Sequence, residues 1–293
     1  MTRETSQGRA TVTQLCATFR VSRAAFYAVR PLPTTPPPPH LRRARPGPWA
    51  SAAELDAGIR RVAAAQPGWG GRKIWASLRR EGVCGSRRRV AARLRGLGLT
   101  LPAPRERAPE ARRGHVVVPT SNRRLATDLT TVWTAQDGCV ALVPVIDCGD
   151  RVLHAVGVTK SQEAPAILAP VVQTLRRVFG TPEAVPADLE IRSDHGPQYT
   201  GRDADTLCAA WHLTHTFAPV GRPTGNAVAE RVIQTLKVEL IWTRDWASAE
   251  DLQTAIAAWL VTYNHHRPHQ ALGWRTPAEQ RAINLAASRE TAA

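Results

Sequence analysis

The chain has 293 residues, of which 43% are hydrophobic, and its formal net charge is +15. This length predicts two or three folded units, and no apolar run approaches the roughly 18 residues of a membrane span, which argues against a membrane protein. Residues 1–127 contain 25 Lys and Arg against 6 Asp and Glu, whereas residues 128–293 contain 14 against 18. A basic first part of this kind predicts a module that binds a polyanion.

The N-terminus and the cysteines indicate where such a protein works. The first ten residues, MTRETSQGRA, contain no apolar core of a secretory signal, and the five cysteines form no CxxC pair. Neither export nor a zinc or disulfide framework is indicated. We therefore expect a protein of the cytoplasm.

The first segment of the chain, residues 1–30, contains two short predicted helices. TVTQLCATFRVSRAAFYAVR places Val12, Leu15 and Phe19 on one helical face, and Ser22 can cap a second helix. The pattern predicts a helix-turn-helix, and a plain helical hairpin fits it as well. Residues 31–51 are rich in proline and predict an extended, semi-rigid linker.

A second helical unit is predicted for residues 52–99. Apolar residues recur at helical spacing in three segments, and Ser86 and Gly98 are suited to begin and end the third helix. Basic residues at the start of the third helix favour insertion beside DNA phosphates over a merely solvated face. The candidates for DNA contact in this unit are Arg72, Lys73, Arg87, Arg88 and Arg89.

Residues 100–123 are rich in proline and arginine and predict a second linker, after which the pattern changes. Three predicted strands come first: RLATDLTTVWT, GCVALVPVIDCGD and RVLHAVGVTK. They are followed in chain order by a helix (APAILAPVVQTLRRVFG), a strand (ADLEIRSD), a helix (DADTLCAAW), a strand (THTFAPV) and a helix (NAVAERVIQTLKVELIW). Three strands followed by alternating helices and strands predict an α/β fold with a mixed sheet.

Three acidic residues occupy related places in this layout. Asp128 lies within the first predicted strand, Asp194 ends the fourth, and Glu230 lies on the helix after the fifth, with 35 residues between Asp194 and Glu230. The first and fourth strands can be neighbours, so the carboxylates would meet at the sheet. Clustered carboxylates need a cation, and oxygen ligands suit two Mg²⁺ ions, with Mn²⁺ as an alternative. Taken singly, Asp194 is a turn residue and Glu230 a solvated glutamate.

Four motifs occur in order along the chain: TDLT around Asp128, SDHGPQYT around Asp194, GRPTGNAVAERVIQTLKVEL around Glu230, and YNHHRPHQALGWRTP at residues 263–277. With these motifs and the 35-residue spacing, the sequence resembles the DDE transposases of the retroviral-integrase superfamily, most closely the OrfB-type transposases of bacterial insertion sequences. The resemblance extends from about residue 12 to residue 280.

The resemblance implies an RNase H-like catalytic core over residues 124–280, with a mixed five-stranded sheet and helices on both faces. All-α helix-turn-helix modules would precede this core, and residues 281–293 would form a C-terminal tail. Asp128, Asp194 and Glu230 would hold two divalent ions for the cleavage and strand transfer of an insertion-sequence element.

Further residues of the core are candidates for DNA contact. Lys237 matches a basic residue that the family places seven positions after the glutamate, and seven residues return to within about 20° of the same helix face. Asn226, one turn before Glu230, faces the same way. Arg267 is a candidate for contact with the DNA backbone or for helix capping. Three tryptophans are expected to pack inside the core: Trp242, Trp246 and Trp259.

The partners implied by the resemblance are double-stranded DNA, both element ends and target, and further copies of the chain bound to that DNA. An upstream protein joined by ribosomal frameshifting is a further implied partner, and a membrane is not. The protein would be cytoplasmic and associated with the nucleoid when bound. Two other functions fit less of the sequence: an inactive or domesticated DNA-binding relative, and a plain RNase H-type nuclease.

Overall fold

The computed structural model describes residues 16–19, 21–22, 49–102, 118–218 and 226–290, and the backbone alone at residues 4–5, 8–9 and 291–292. The chain divides into two compact units, residues 1–45 and 46–293. In the first unit, Glu4–Thr5 and Gly8–Arg9 pair as a short antiparallel hairpin, and residues 16–18 are helical. The rest of the predicted helix-turn-helix and most of the proline-rich linker lie outside the described residues.

The predicted helices of residues 52–99 are all present as α1 (Ala52–Ala65), α2 (Gly71–Arg80) and α3 (Arg87–Gly96). α1 begins with a reciprocal cap, in which the Ser51 hydroxyl accepts from the Glu54 amide and the Glu54 carboxylate accepts from the Ser51 amide. The apolar faces of the three helices share one buried cluster, which contains Leu55 and Ile59 of α1, Ile74 and Leu78 of α2, and Leu94 of α3.

The caps predicted for the third helix are confirmed. The Ser86 hydroxyl accepts a hydrogen bond of 3.1 Å from the Arg89 amide at the start of α3. Gly98, with a φ of +68°, turns the chain out of the helix, which is the left-handed geometry that favours glycine. Three helices with this packing are confirmed, whereas a helix-turn-helix function remains a prediction.

The rest of the second unit is the α/β core. Its strands are β1 (Arg124–Thr127), β2 (Thr130–Thr134), β3 (Gly138–Asp147), β4 (Leu153–Thr159), β5 (Glu190–Ser193) and β6 (Thr214–Phe217). Its principal helices are α4 (Ala164–Phe179), α5 (Arg202–Ala210), α6 (Ala227–Glu239), α7 (Ala249–Val261) and α8 (Pro277–Ala292).

The sheet is mixed, as predicted. β3 pairs antiparallel with β1, β2 and β4, while β1, β5 and β6 pair parallel with one another. Because β1 and β2 follow each other along one side of β3, they act as a single first strand with a bend. The resulting order is β4, β3, β1 with β2, β5 and β6, which is five positions across.

The bend explains one departure from the expected layout. Asp128 lies in the gap between β1 and β2 rather than within a continuous strand. Its Oδ1 accepts a hydrogen bond of 2.8 Å from the Leu129 amide. A local bond between a side chain and the backbone competes with the ladder hydrogen bonds of a strand, so the strand is interrupted at the acidic residue.

Helices cover both faces of the sheet, because residues alternate along the long central strand. Val140 and Leu142 of β3 pack with residues of α6 and α7 on one face. Ala141 and Val143 pack with residues of α4 and α5 on the other. This two-sided burial agrees with the near-continuous apolar run of β3.

The C-terminal helix crosses the predicted boundary between core and tail. α8 runs from Pro277 to Ala292 without interruption. Beyond the boundary, the Arg281 guanidinium donates to the buried Asp150 carboxylate at 2.8 Å, and the Asn284 amide donates to the Ser121 hydroxyl at 3.1 Å. The first half of the predicted tail is therefore held against the core. No helix of the described residues is both long and apolar enough to cross a bilayer.

The α1–α3 unit contacts the core around the end of α6. Trp69 and Lys73 both donate to the Glu239 carboxylate. A Cβ at Gly68 would lie 3.1 Å from the Cα of Glu239, so the loop before α2 approaches the helix closely. Nearby, the rings of Trp75 and Trp274 meet edge to face at 5.7 Å.

Candidate active site

The first two acidic residues meet at one end of the parallel pair β1 and β5. Ala126 lies opposite Arg192 in this pair, and two further residues along the same register bring Asp128 opposite Asp194. Asp194 also forms the turn that its sequence predicts, because its Oδ1 accepts from the Gly196 amide at 3.0 Å. Asp194 can therefore both stabilise this turn and contribute its carboxylate to the acidic site.

The third acidic residue is held near this pair by the start of α6. The Asn226 amide donates to the Thr127 carbonyl at 2.9 Å, which ties the first residue before the helix to the end of β1. Asn226 is only 4% exposed, and its Oδ1 is buried with no hydrogen-bond partner among the described residues. Glu230 follows one turn later, with its side chain exposed.

The acidic residues interact electrostatically. Burial raises the pKa of Asp128 to about 6; the Leu129 amide opposes this rise, the charges of Asp194 and Glu230 add to it, and the charge of Lys237 opposes it. Burial also raises the pKa of Glu230. The charges that act on Asp128 come from Asp194, Glu230 and Lys237, which is the set expected of one site.

Tyr199 lies beneath the two aspartates and was not singled out from the sequence. It belongs to the one-turn helix Pro197–Thr200 and is 2% exposed. Its hydroxyl lies 3.3 Å from the Thr127 hydroxyl, and burial raises its pKa. Its place in SDHGPQYT, five residues after Asp194, was the only available signal.

The acidic side chains are not drawn into a ligand shell. Within the described ranges, no three His, Cys, Asp or Glu side chains lie close enough together to hold one metal ion as they stand. One oxygen of Asp128 and one of Asp194 accept backbone hydrogen bonds, and each carboxylate has a second oxygen that these bonds do not use. Residues 219–225, which precede α6, lie outside the described part of the chain.

The candidate DNA-contact residues of α2 and α3 fall into two groups. Arg72, Arg87 and Arg88 are exposed, and Arg89 is partly exposed. The Arg87 guanidinium lies 4.9 Å from the centre of the Trp75 ring. Lys73, by contrast, binds Glu239, so its charge is already engaged within the protein.

Arg267 is engaged in the same way. It is 8% exposed, and its guanidinium donates twice to Glu239, at 2.9 Å for both Nε and Nη2. It also lies 5.6 Å from the centre of the Tyr263 ring. A contact between Arg267 and DNA would require this ion pair to open, because the side chain faces the interior.

Two of the three tryptophans expected to pack do so, and one does not. Trp246 and Trp259 are 4% and 6% exposed, whereas Trp242 is 69% exposed. The reason is the end of α6 at Glu239, after which the 3₁₀ turn Ile241–Thr243 directs Ile241 inward. Its neighbour Trp242 is consequently directed outward, and the expectation that it packs was wrong.

Comparison with known proteins identifies the class of this core. Residues 119–223 match a family model described as integrase core domain, and residues 210–277 match a second model of the same description. The chain is 30% identical over 256 residues to a putative transposase for insertion sequence element IS986/IS6110 of Mycobacterium tuberculosis, covering 82% of this chain and 91% of that relative. The chain therefore belongs to the insertion-sequence transposases of the integrase superfamily.

Two further likenesses are more distant. An uncharacterized protein of insertion element IS136 from Agrobacterium tumefaciens is 29% identical over 172 residues, which cover 57% of this chain and 86% of that protein. Among solved structures, a chain of the simian T-cell lymphotropic virus intasome in complex with PP2A regulatory subunit B56 gamma aligns with a TM-score of 0.48 and 17% identity, covering 79% of this chain and 74% of that chain.

Proposed function

We propose that this transposase cleaves DNA at the ends of an insertion-sequence element and joins those ends to a target, using divalent metal ions. The observation that carries the proposal is the meeting of Asp128 and Asp194 at the end of a parallel strand pair. The Asn226 hydrogen bond to Thr127 brings the helix of Glu230 to the same place.

Asp128, Asp194 and Glu230 are the residues that would hold the ions. Two Mg²⁺ or Mn²⁺ ions bound there would stabilise both the attacking and the leaving oxygen of an in-line displacement at phosphorus. The donor set fits, because all three residues offer carboxylate oxygens. Burial raises the pKa of Asp128 and the charges of Asp194 and Glu230 add to the rise, and a bound cation would offset both effects. The exposed Glu230 has rotamers available to bring its carboxylate towards the aspartates.

Lys237 would bind the DNA phosphate next to the reacting one. It lies on the same face of α6 as Glu230 and about 10 Å further along the helix axis, at 1.5 Å per residue. Its side chain is partly exposed, and its charge already acts on Asp128. A cation in this position neutralises the substrate and fixes its orientation towards the carboxylates.

The start of α3 would bind DNA outside the core. Arginines at a helix N-terminus oppose the helix dipole, and the first turn of α3 contains three of them and no acid. This arrangement costs folding free energy, whereas bound phosphates at the same place would be stabilised by both the arginines and the free amides. Arg72, at the start of α2, would contribute in the same way. Binding should weaken steeply with salt.

Several copies of the chain would act together, because an element has two ends to be joined to one target. An upstream partner joined by frameshifting would supply further DNA binding, and the protein would work in the bacterial cytoplasm on the nucleoid. The multiple copies and the upstream partner both rest on the family to which the chain belongs. Each predicts a larger particle on DNA than one chain forms.

The test is cleavage of supercoiled DNA that carries the element's ends, with and without Mg²⁺ or Mn²⁺. The unaltered chain is compared with Asp194→Asn and with Asp203→Asn, which changes an exposed acid on α5 outside the site. We expect metal-dependent cleavage that only Asp194→Asn abolishes. Equal, salt-sensitive binding without cleavage by all three proteins would instead favour a DNA-binding relative that has lost its chemistry.

A further inference from the structure

Two exposed tryptophans lie beside the candidate active site. Trp133 and Trp242 are 72% and 69% exposed, which makes them the most exposed of the nine tryptophans of the chain. Trp133 faces outward because β2 alternates, with Val132 and Thr134 buried on the other face. Its ring is close to Gly138, where an added Cβ would lie 3.7 Å from the ring. Exposure of two large rings to water is unfavourable unless a ligand covers them.

Both rings line one cavity of about 530 Å³. Lys237 and Arg244 lie in the same wall, and Asp245 also lines it. The Arg244 guanidinium donates to the Asp251 carboxylate at 2.8 Å and lies 4.1 Å from the centre of the Trp246 ring, so its charge is already engaged within the protein. Lys237 also acts on Asp128, so the cavity and the carboxylate site share this lysine. A surface that combines flat aromatic rings with a lysine suits a nucleic-acid strand, whose bases stack and whose phosphates are anionic.

We propose that Trp133 and Trp242 form a stacking site for a nucleobase that leaves the duplex next to the cleaved phosphate. Lys237 binds a phosphate beside that base. The site accepts any base, because stacking uses the π-face that all four bases share. This inference rests on the proposed function and adds a role for unpaired DNA, which the carboxylates alone do not provide.

The choice of a base over a protein segment follows from charge and position. Lys237 would repel the basic segments that dominate residues 1–127. Lys237 also acts on Asp128, so a DNA strand held at the carboxylates for cleavage would lie near this cavity. A second copy of the chain is nevertheless an outcome that the experiment below distinguishes.

The test uses the full chain without divalent metal, so that no DNA is cut. Its affinity is measured for a fully paired duplex and for the same duplex with a short single-stranded overhang that contains 2-aminopurine. The variants are Trp133→Ala and Trp242→Ala, with Trp133→Phe and Trp242→Phe as conservative partners. Val261→Ala, which shortens an exposed apolar residue outside the cavity, is the control.

We expect each alanine variant to lose affinity for the overhang by about tenfold, the order expected for one stacked base. Affinity for the paired duplex should not change, the phenylalanine variants should retain overhang binding, and the change in 2-aminopurine fluorescence should disappear with alanine. Unchanged overhang binding would overturn the proposal. Equal losses for both DNAs, or a loss of self-association in sedimentation instead, would overturn it too.

The same DNAs separate this inference from the proposed function. Cleavage is measured with divalent metal and overhang binding without it, because the stacking site does not need metal. If no variant cuts DNA but the overhang preference still depends on the tryptophans, the base site stands and the proposed chemistry falls. If cleavage depends on Asp194 while overhang binding does not depend on the tryptophans, the proposed chemistry stands and the base site falls.

Discussion

Asn226 links the segment of Asp128 to the helix of Glu230. Its hydrogen bond to the Thr127 carbonyl lies next to Asp128 in sequence, and Glu230 is one helical turn further on. The bond is buried, so water cannot replace it when it is lost. The positions of Asp128 and Glu230 relative to each other therefore depend on one amide group.

Asn226→Ala should lower both stability and activity. The Thr127 carbonyl would lose its side-chain partner, which costs about 1–2 kcal/mol of the free energy of unfolding. DNA cleavage should fall by more than this loss explains, because α6 would no longer be held at β1. Denaturant unfolding and the cleavage assay measure the two effects. Gln234→Ala on the exposed side of α6 should change neither, and full cleavage by Asn226→Ala would contradict the positioning role.

Arg88 provides a residue-level measure of phosphate binding. It is exposed in the first turn of α3. If it binds one phosphate, Arg88→Ala should reduce the slope of log affinity against log salt concentration by about one. Duplex binding at several salt concentrations measures that slope. Arg289→Ala, an exposed arginine of α8, should leave the slope unchanged, and an equal effect of both substitutions would contradict a specific role of α3.

Among the elements, α6 connects the active site to the helical unit. Glu230 and Lys237 belong to the proposed site, whereas Glu239 at the end of the helix accepts from Trp69, Lys73 and Arg267. Burial alone would raise the pKa of Glu239, yet the bonds from Arg267 and Lys73 outweigh it and hold that pKa below its usual value. The position of α6 thus depends on contacts at both of its ends.

Glu239→Gln should destabilise the second unit strongly. The substitution leaves Arg267 buried without a counter-ion, and breaking a buried ion pair in this way costs about 3–5 kcal/mol. Lys73 is partly exposed and can be solvated, so we expect a loss of stability near the lower end of this range. Denaturant unfolding gives the loss, with Glu250→Gln, an exposed acid of α7, as the control. A loss no greater than that of the control would mean that the ion pair contributes little.

The elements also show what the sequence could predict. Period-two alternation and turn residues are local properties, so the strands and the neighbouring positions of β1 and β5 in the sheet were predictable. The ion pair of Lys73 with Glu239 joins residues 166 apart, and no local pattern encodes such a contact. The exposure of Trp242 depends on where α6 ends, and helix ends are the least predictable part of an element.

For the whole molecule, buried histidines make stability depend on pH. Burial lowers the pKa of His154 to about 3 from the ordinary 6.5, so the folded protein keeps this ring neutral while the unfolded chain protonates it. The free energy of unfolding should therefore fall as pH drops below 6.5, by about 1.4 kcal/mol per pH unit. Burial likewise lowers the pKa of His269 to about 3, so this histidine also lowers the free energy of unfolding as the pH falls.

His154→Leu isolates this effect. Asp128 and Asp147, whose raised pKa values of about 6 act in the opposite direction, are present in both proteins and cancel in the difference. Relative to the unaltered chain, the variant should gain about 2 kcal/mol between pH 7 and pH 5. Denaturant unfolding at both pH values measures the gain. A difference that does not vary with pH would show that His154 is protonated in the folded protein.

The course of α8 has a practical consequence for anyone who shortens the chain. A cut after Gln280, where the family motifs end, would remove Arg281 and leave Asp147 and Asp150 fully buried without their cation. The expected product is a fragment that aggregates on expression, and a domain defined by homology would be misjudged as insoluble. A cut after Ser288 retains Arg281 and Asn284, and the shortened protein should remain soluble.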